Sequence, residues 1–166
     1  MIEMEKNIPF LLWTIWIYII LYPIYLVWSL WGYKDELEMN KTLYGFLLLT
    51  IISCALFIIF PISYPREFYP LPLDNNLTTL IFRGMRELDK PSNCLPSLHV
   101  GLCYLFCFGF WNENKLKFYI GFMISTLVGL STLTTKQHYS YDIVAGFILA
   151  LGIYYFFQKF TTINNS

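Results

Sequence analysis

The sequence predicts an all-α protein, a polytopic membrane helix bundle of about five transmembrane helices. Three observations carry this. Hydrophobic residues make up 57% of the chain and aromatic residues 20%. Charged residues make up only 13%, about half the ~25% usual for a soluble domain. The apolar residues also gather into five runs, most of them close to the ~20 residues that a spanning helix needs. A soluble globule of 166 residues could not hide this much Phe, Tyr, Trp, Leu and Ile. Eleven Lys+Arg balance eleven Asp+Glu. This composition excludes disorder, a collagen-like fibre and electrostatic binding of nucleic acid. The length predicts one domain over residues 1–166.

The first run covers about residues 8–31, with no charge between Lys6 and Lys34. Trp13, Trp16, Trp28 and Trp31 crowd its two ends, as interfacial belts do. Pro23 predicts a kink. A cleaved signal peptide does not fit. Glu3 and Glu5 outweigh Lys6, the run is too long, and no small-residue cleavage site follows. The second run is about residues 42–60. A polar stretch, about 61–94, then holds most of the prolines. Arg83 and Arg86, spaced i, i+3, predict one edge of a short helix there. The third run, about 95–111, is short for a bilayer. A polar connection at 112–117 leads to the fourth run, about 118–133. The fifth is about 141–160, followed by a polar tail at 161–166.

Five spans put the termini on opposite sides. The side of the N-terminus then holds six basic and seven acidic residues, and the far side five basic ones. The far side's short loops carry Lys34, Lys41, Lys115 and Lys117, which points to that side as cytoplasmic. Of the four cysteines, Cys54, Cys103 and Cys107 fall in apolar runs and Cys94 at a loop end. They predict no disulfide framework, and no C-x-x-C or H-E-x-x-H spacing predicts a metal site.

The chemistry-bearing residues concentrate on the side of the N-terminus. His99 and His138, the only two histidines, both lie at the ends of apolar runs there. Asp142 follows His138 by four residues, the spacing of one helix face if the fifth span starts near His138. A carboxylate so placed accepts from one ring nitrogen, fixes the tautomer and leaves the other nitrogen as a nucleophile. The alternative for Asp142 is an acid complementing the helix dipole. Pro96, Ser97, Leu98 and His99 read as a helix start. Ser97 and the unpaired N–H groups of that turn suit an anion, and His99 as imidazolium suits donation to a leaving oxygen. The alternative is an ordinary cap. Arg66 can bind a phosphate bidentately or stay a solvated loop residue. Arg83, Arg86 and Lys90 read as loop charges. Lys136, two residues before His138, suits either a phosphate contact or a snorkelling lysine.

This order of motifs resembles the type 2 phosphatidic acid phosphatase superfamily of integral membrane lipid phosphatases. Its motifs are K-x6-R-P, P-S-G-H and S-R-x5-H-x3-D. Pro96-Ser97-Leu98-His99 is similar to the second, with Leu98 at the glycine. Ser131, Thr132, His138 and Asp142 follow the third, with Thr132 at its arginine. Arg66 is placed like the first motif's arginine, with Ile59 at its lysine and Glu67 at its proline. The resemblance covers about residues 60–146. It implies that His138 forms a phosphohistidine, Asp142 orients it, and His99 protonates the leaving alcohol. Ser97 and Arg66 would hold phosphate oxygens, and Lys136 would replace missing charge. It implies no cofactor and no metal. The partner would be a lipid phosphate substrate in the bilayer, acting within a bacterial inner (plasma) membrane with the site on the non-cytoplasmic face. The expected reaction is hydrolysis of a lipid phosphomonoester or diphosphate.

The departures from the motifs are similar to those of the inositol phosphorylceramide synthase branch. His138-Tyr139-Ser140-Tyr141-Asp142 also looks like sphingomyelin synthases. The alternative function is therefore a lipid head-group phosphotransferase, and a third is a non-catalytic membrane scaffold.

Overall fold

The computed structural model describes residues 7–66, 69, 72–89 and 92–164, and the side chains of these up to Lys159. The residues before Asn7, together with Glu67, Lys90 and the last two residues of the tail, lie outside this description.

The first apolar run forms a composite helix over Leu12–Gly32. It opens with a 3-10 turn at Leu12–Thr14, widens into a π turn at Ile17–Leu21, and becomes regular in α1, Tyr22–Gly32. Pro23 lies in the first turn of α1, directly after the π turn. Its ring would clash with a carbonyl four residues back in a regular helix. The wide turn takes up that conflict where the sequence predicts a kink.

α2 spans Glu36–Ile59. It starts six residues earlier than the apolar run, because Asp35 caps it by accepting from the Leu37 N–H at 2.8 Å. α3, Leu77–Leu88, lies within the polar stretch. Asn76 caps it, accepting from Thr79 N–H at 2.9 Å. α3 buries Phe82 and Met85 against Ile15 and Tyr18 of the first helix, and buries Thr79, whose hydroxyl donates to Asp74. Its leucines Leu77, Leu80 and Leu88 stay exposed. Arg83 and Arg86 do share this helix, and they tie down the preceding loop: Arg83 donates to Asn75 and Pro72, and Arg86 to the Tyr69 carbonyl.

The third run differs most from expectation. α4 is only Leu98–Gly109, 12 residues. At 1.5 Å per residue that is about 18 Å, well short of a ~30 Å hydrocarbon layer. Every residue from Val100 to Gly109 is buried. α4 is the central helix, packed against α2 and the two helices that follow it, Lys115–Thr134 and Ser140–Asn164, so it needs no lipid-facing length. It still joins the two ends of the bundle. His99 meets Tyr18 at one end, and the Phe110 ring stacks on Tyr33 at the other. Among the described residues, four helices therefore have the length and apolarity to cross a membrane: Leu12–Gly32, Glu36–Ile59, Lys115–Thr134 and the stretch Ser140–Lys159.

α5 runs Lys115–Thr134 and is capped by Asn114, which accepts from Lys117 N–H at 3.0 Å. α6 runs Ser140–Asn164, so most of the expected polar tail continues the helix. The bundle ends sort as five passes require. Leu11 and Thr14 bond Thr134 at one end, while Lys34 N–H bonds Glu113 and Lys41 bonds Gln158 at the other.

Candidate active site

The turn between α5 and α6 places His138. Gln137 N–H bonds the Thr132 carbonyl at 2.9 Å and Lys136 N–H bonds the Leu133 carbonyl at 3.1 Å. This is the paired termination in which the residue past the cap turns left-handed, usually a glycine. Here that residue is Lys136, with φ of 58°. The chain reverses there and presents His138 to the end of α4.

α6 begins at Ser140, so His138 stands in the bend before it rather than on its first turn. The His138–Asp142 contact thus does not come from helical stacking at i, i+4. Asp142 reaches back instead. Its Oδ2 accepts from Tyr139 N–H at 2.9 Å, the return half of a capping box, and lies 3.4 Å from His138 Nδ1. One carboxylate oxygen thus serves both helix start and imidazole. Asp142 is fully buried, and its Oδ1 has no hydrogen-bond partner.

Ser97 is the residue before α4, where its backbone N–H donates to the Asp142 carbonyl at 3.0 Å. Its hydroxyl does not cap the helix; it is buried without a hydrogen-bond partner. His99 follows in the first turn. The His99 and His138 ring centroids are 6.3 Å apart. Both rings border a cavity of about 340 Å³, whose walls also include Arg66, Asp89, Cys94 and Gln137.

The structure therefore brings His99, His138 and Arg66 to one cavity, with Asp142 behind His138 and Ser97 at the adjoining helix end. Lys136 is not part of that cavity wall. Its ammonium donates to the Ile8 carbonyl at 2.6 Å and lies 4.9 Å over the Tyr69 ring. Left-handed backbone at Lys136 sends its side chain toward the N-terminal segment while the next two residues turn to the cavity. Thr132, at the third motif's arginine, is buried and bonds the Gly129 carbonyl.

Arg66 is 9% exposed and already has a partner. Its guanidinium donates to the Asp89 carbonyl and, at 3.0 Å, to Asp89 Oδ2, while its buried Nε has no hydrogen-bond partner. Several wall residues are not signalled as site residues by the sequence, among them Asp89, Gln137 and Cys94. Cys94 Sγ, His138 and Asp142 each offer a ligand atom, all within 4.8 Å of one another, so this trio could hold a metal ion. Burial, and then the Asp142 charge, push the Cys94 thiol up to about 11. A protonated thiol is a poor ligand. Tyr18 is a further omission: its hydroxyl is 2.8 Å from His99 Nε2. Nothing in the local sequence signals a contact across so long a separation.

A helical bundle with two histidines, a buried aspartate and an arginine at one end defines the class of protein. The chain belongs to the PAP2 superfamily, which matches residues 3–156. Membership supports phosphatase or phosphotransferase activity, and with the four apolar helices it makes this an integral membrane protein. An uncharacterized protein of Methanocaldococcus jannaschii is 34% identical over 67 residues, covering 40% of this chain and 28% of that protein. No solved structure matches the chain.

Proposed function

We propose that this protein is a lipid phosphate phosphatase working through a phosphohistidine at His138. The observation that supports it best is the two imidazoles facing each other across one cavity beside Arg66. His138 Nδ1 points to Asp142, which leaves Nε2 as nucleophile. The Nε2 lone pair forms the N–P bond, the P–O bond to the lipid breaks, and His99 gives its proton to the departing alkoxide. A water then gives a proton to His99 and attacks phosphorus, the N–P bond breaks, and phosphate leaves. Arg66 and the Ser97 hydroxyl hold phosphate oxygens. The apolar helices keep the substrate's tails in lipid. The site lies on the non-cytoplasmic face of a bacterial inner (plasma) membrane.

A second reading, head-group phosphotransfer as in the inositol phosphorylceramide and sphingomyelin synthases, is favoured by the charge of the cavity wall. Among its described residues Arg66 is the one lysine or arginine, and Asp89 opposes it. A singly charged phosphodiester needs fewer cations than a terminal phosphomonoester. An acceptor lipid hydroxyl then takes the place of water.

One experiment tests both readings. Purified protein in detergent with chelator is given lipid phosphomonoesters, diphosphates and phosphodiesters, and phosphate and lipid products are followed. Hydrolysis releases phosphate; transfer moves a labelled head group onto an acceptor lipid. Both are expected to vanish in His138→Ala. No turnover of any substrate would leave a non-catalytic membrane scaffold, and equal turnover in that variant would remove His138 as the nucleophile.

A further inference from the structure

We propose that Tyr18 is a positioning residue for His99, its phenol fixing the tautomer and ring plane in which His99 exchanges its proton with the leaving group. This rests on the reading of His99 as the leaving-group acid. Among the described residues, the Tyr18 hydroxyl is the one hydrogen-bond partner of the His99 ring, at 2.8 Å from Nε2. Tyr18 is 8% exposed, so little water competes for that bond. Its ring meets the imidazole edge-on at 5.2 Å and 70°. Tyr22, one turn further on, stacks on Tyr18 at 6.0 Å and 5°, and meets His99 edge-on as well. The two tyrosines brace one edge of the imidazole. Tyr18 sits in the π turn at Ile17–Leu21, and such turns recur at functional sites.

The surroundings offer little alternative. A second cavity, of about 590 Å³, reaches His99 between the first helix and α3, and Ile19, Ile81, Met85, Leu88 and Asp89 line it beside Tyr18. The first four cannot hydrogen-bond a ring nitrogen, and the Asp89 carboxylate is engaged by Arg66 at 3.0 Å. A phenol oxygen accepts from an imidazole N–H, so one bond can persist through both protonation states of the ring. Nε2–H donates to the Tyr18 oxygen in the imidazolium, and still does so in the neutral ring left when Nδ1 gives up its proton. Nε2 stays pinned throughout. Nδ1 is then the nitrogen left to give its proton to the leaving oxygen and to take one back from water.

The test uses the full chain, labelled with ¹⁵N-histidine, in detergent. His138→Ala leaves a single imidazole, so its ring resonances belong to His99. Long-range ¹H–¹⁵N spectra of the neutral ring are expected to show Nε2–H with Nδ1 unprotonated. Adding Tyr18→Phe should average the two nitrogens toward a tautomer mixture, whereas adding Tyr25→Phe, which removes another buried hydroxyl of the same helix, should not. In the protein with His138 intact, Tyr18→Phe should lower kcat about tenfold, the worth of one buried hydrogen bond, and alter the pH profile with KM nearly unchanged. Unchanged His99 resonances in Tyr18→Phe would overturn the inference. So would an unaltered pH profile in an active enzyme. Wild-type protein inactive on every substrate would overturn the phosphatase and transferase readings instead, and the spectra would still decide the Tyr18 bond.

Discussion

The carbonyl oxygen of Ser97 rests against Gly146, where an added β-carbon would come within 2.6 Å of it. The obstructing atom is backbone, so no side chain can swing aside. This contact sets how closely α4 approaches α6, and with it the position of Ser97 and His99 relative to Asp142. Small residues commonly permit such approach between membrane helices. Gly146→Ala is expected to push the start of α4 away, costing about 1–3 kcal/mol of stability and most of the activity. Gly152→Ala, with nothing within 4 Å of its added carbon, should be neutral or mildly stabilising. Thermal unfolding and turnover of both variants check this. Equal behaviour of the two would show that the close approach does not matter.

Asp89 occupies the guanidinium of Arg66 where a phosphate would bind. The carboxylate side chain is 37% exposed, so solvent weakens the pair. Asp89→Asn keeps the backbone carbonyl contact but removes the opposing charge. It is expected to lower KM for doubly charged phosphomonoesters by roughly fivefold, about 1 kcal/mol, with a smaller change for phosphodiesters. Steady-state kinetics on matched mono- and diesters measure the ratio. A KM rise for both classes would mean that Asp89 holds Arg66 in place rather than competing with substrate.

The helical class was legible because burial in lipid leaves a plain compositional record: long apolar runs with few charges. Boundaries were less so, since Asp35 and Asn76 extend or create helices through single capping bonds within polar segments. α4 still joins the two ends of the bundle but is shorter than a lipid-facing span, and an apolar run does not say whether its neighbours are lipid or protein. The convergence of the two histidines and Asp142 was legible by spacing, although the His138–Asp142 contact arises from a capping return rather than from one helix face. Tyr18 and Asp89 were not, since each acts through a tertiary contact that no local pattern encodes.

Lys136 combines two conflicting demands. Its φ of 58° suits glycine, while its buried side chain donates to Ile8 and lies over Tyr69. Lys136→Ala keeps the backbone strain and loses the charged contact, and should cost about 2 kcal/mol of stability. Lys136→Gly loses the same contact but relieves the left-handed turn, so it should recover roughly 1 kcal/mol of that. KM should stay within about twofold in both, because the ammonium is not on the cavity wall. Denaturant unfolding and substrate titration separate these effects. A large KM increase in Lys136→Gly with normal stability would return Lys136 to the phosphate.

Cys94 decides whether the thiol–imidazole–carboxylate trio acts as a metal centre. Its raised pKa, about 11, means that a metal must displace a proton at neutral pH. Affinity of the trio for zinc should therefore rise about tenfold per pH unit up to that value, and be weak at pH 7. Turnover at pH 7 is expected to survive chelator, and Cys94→Ser should keep kcat within about twofold, since the thiol has no part in the proposed double displacement. Zinc added at pH 9 should inhibit wild type by capturing His138, and inhibit Cys94→Ser much less. Activity lost to chelator and equally to Cys94→Ser would instead identify a resident metal, and His138 would then be its ligand rather than the nucleophile.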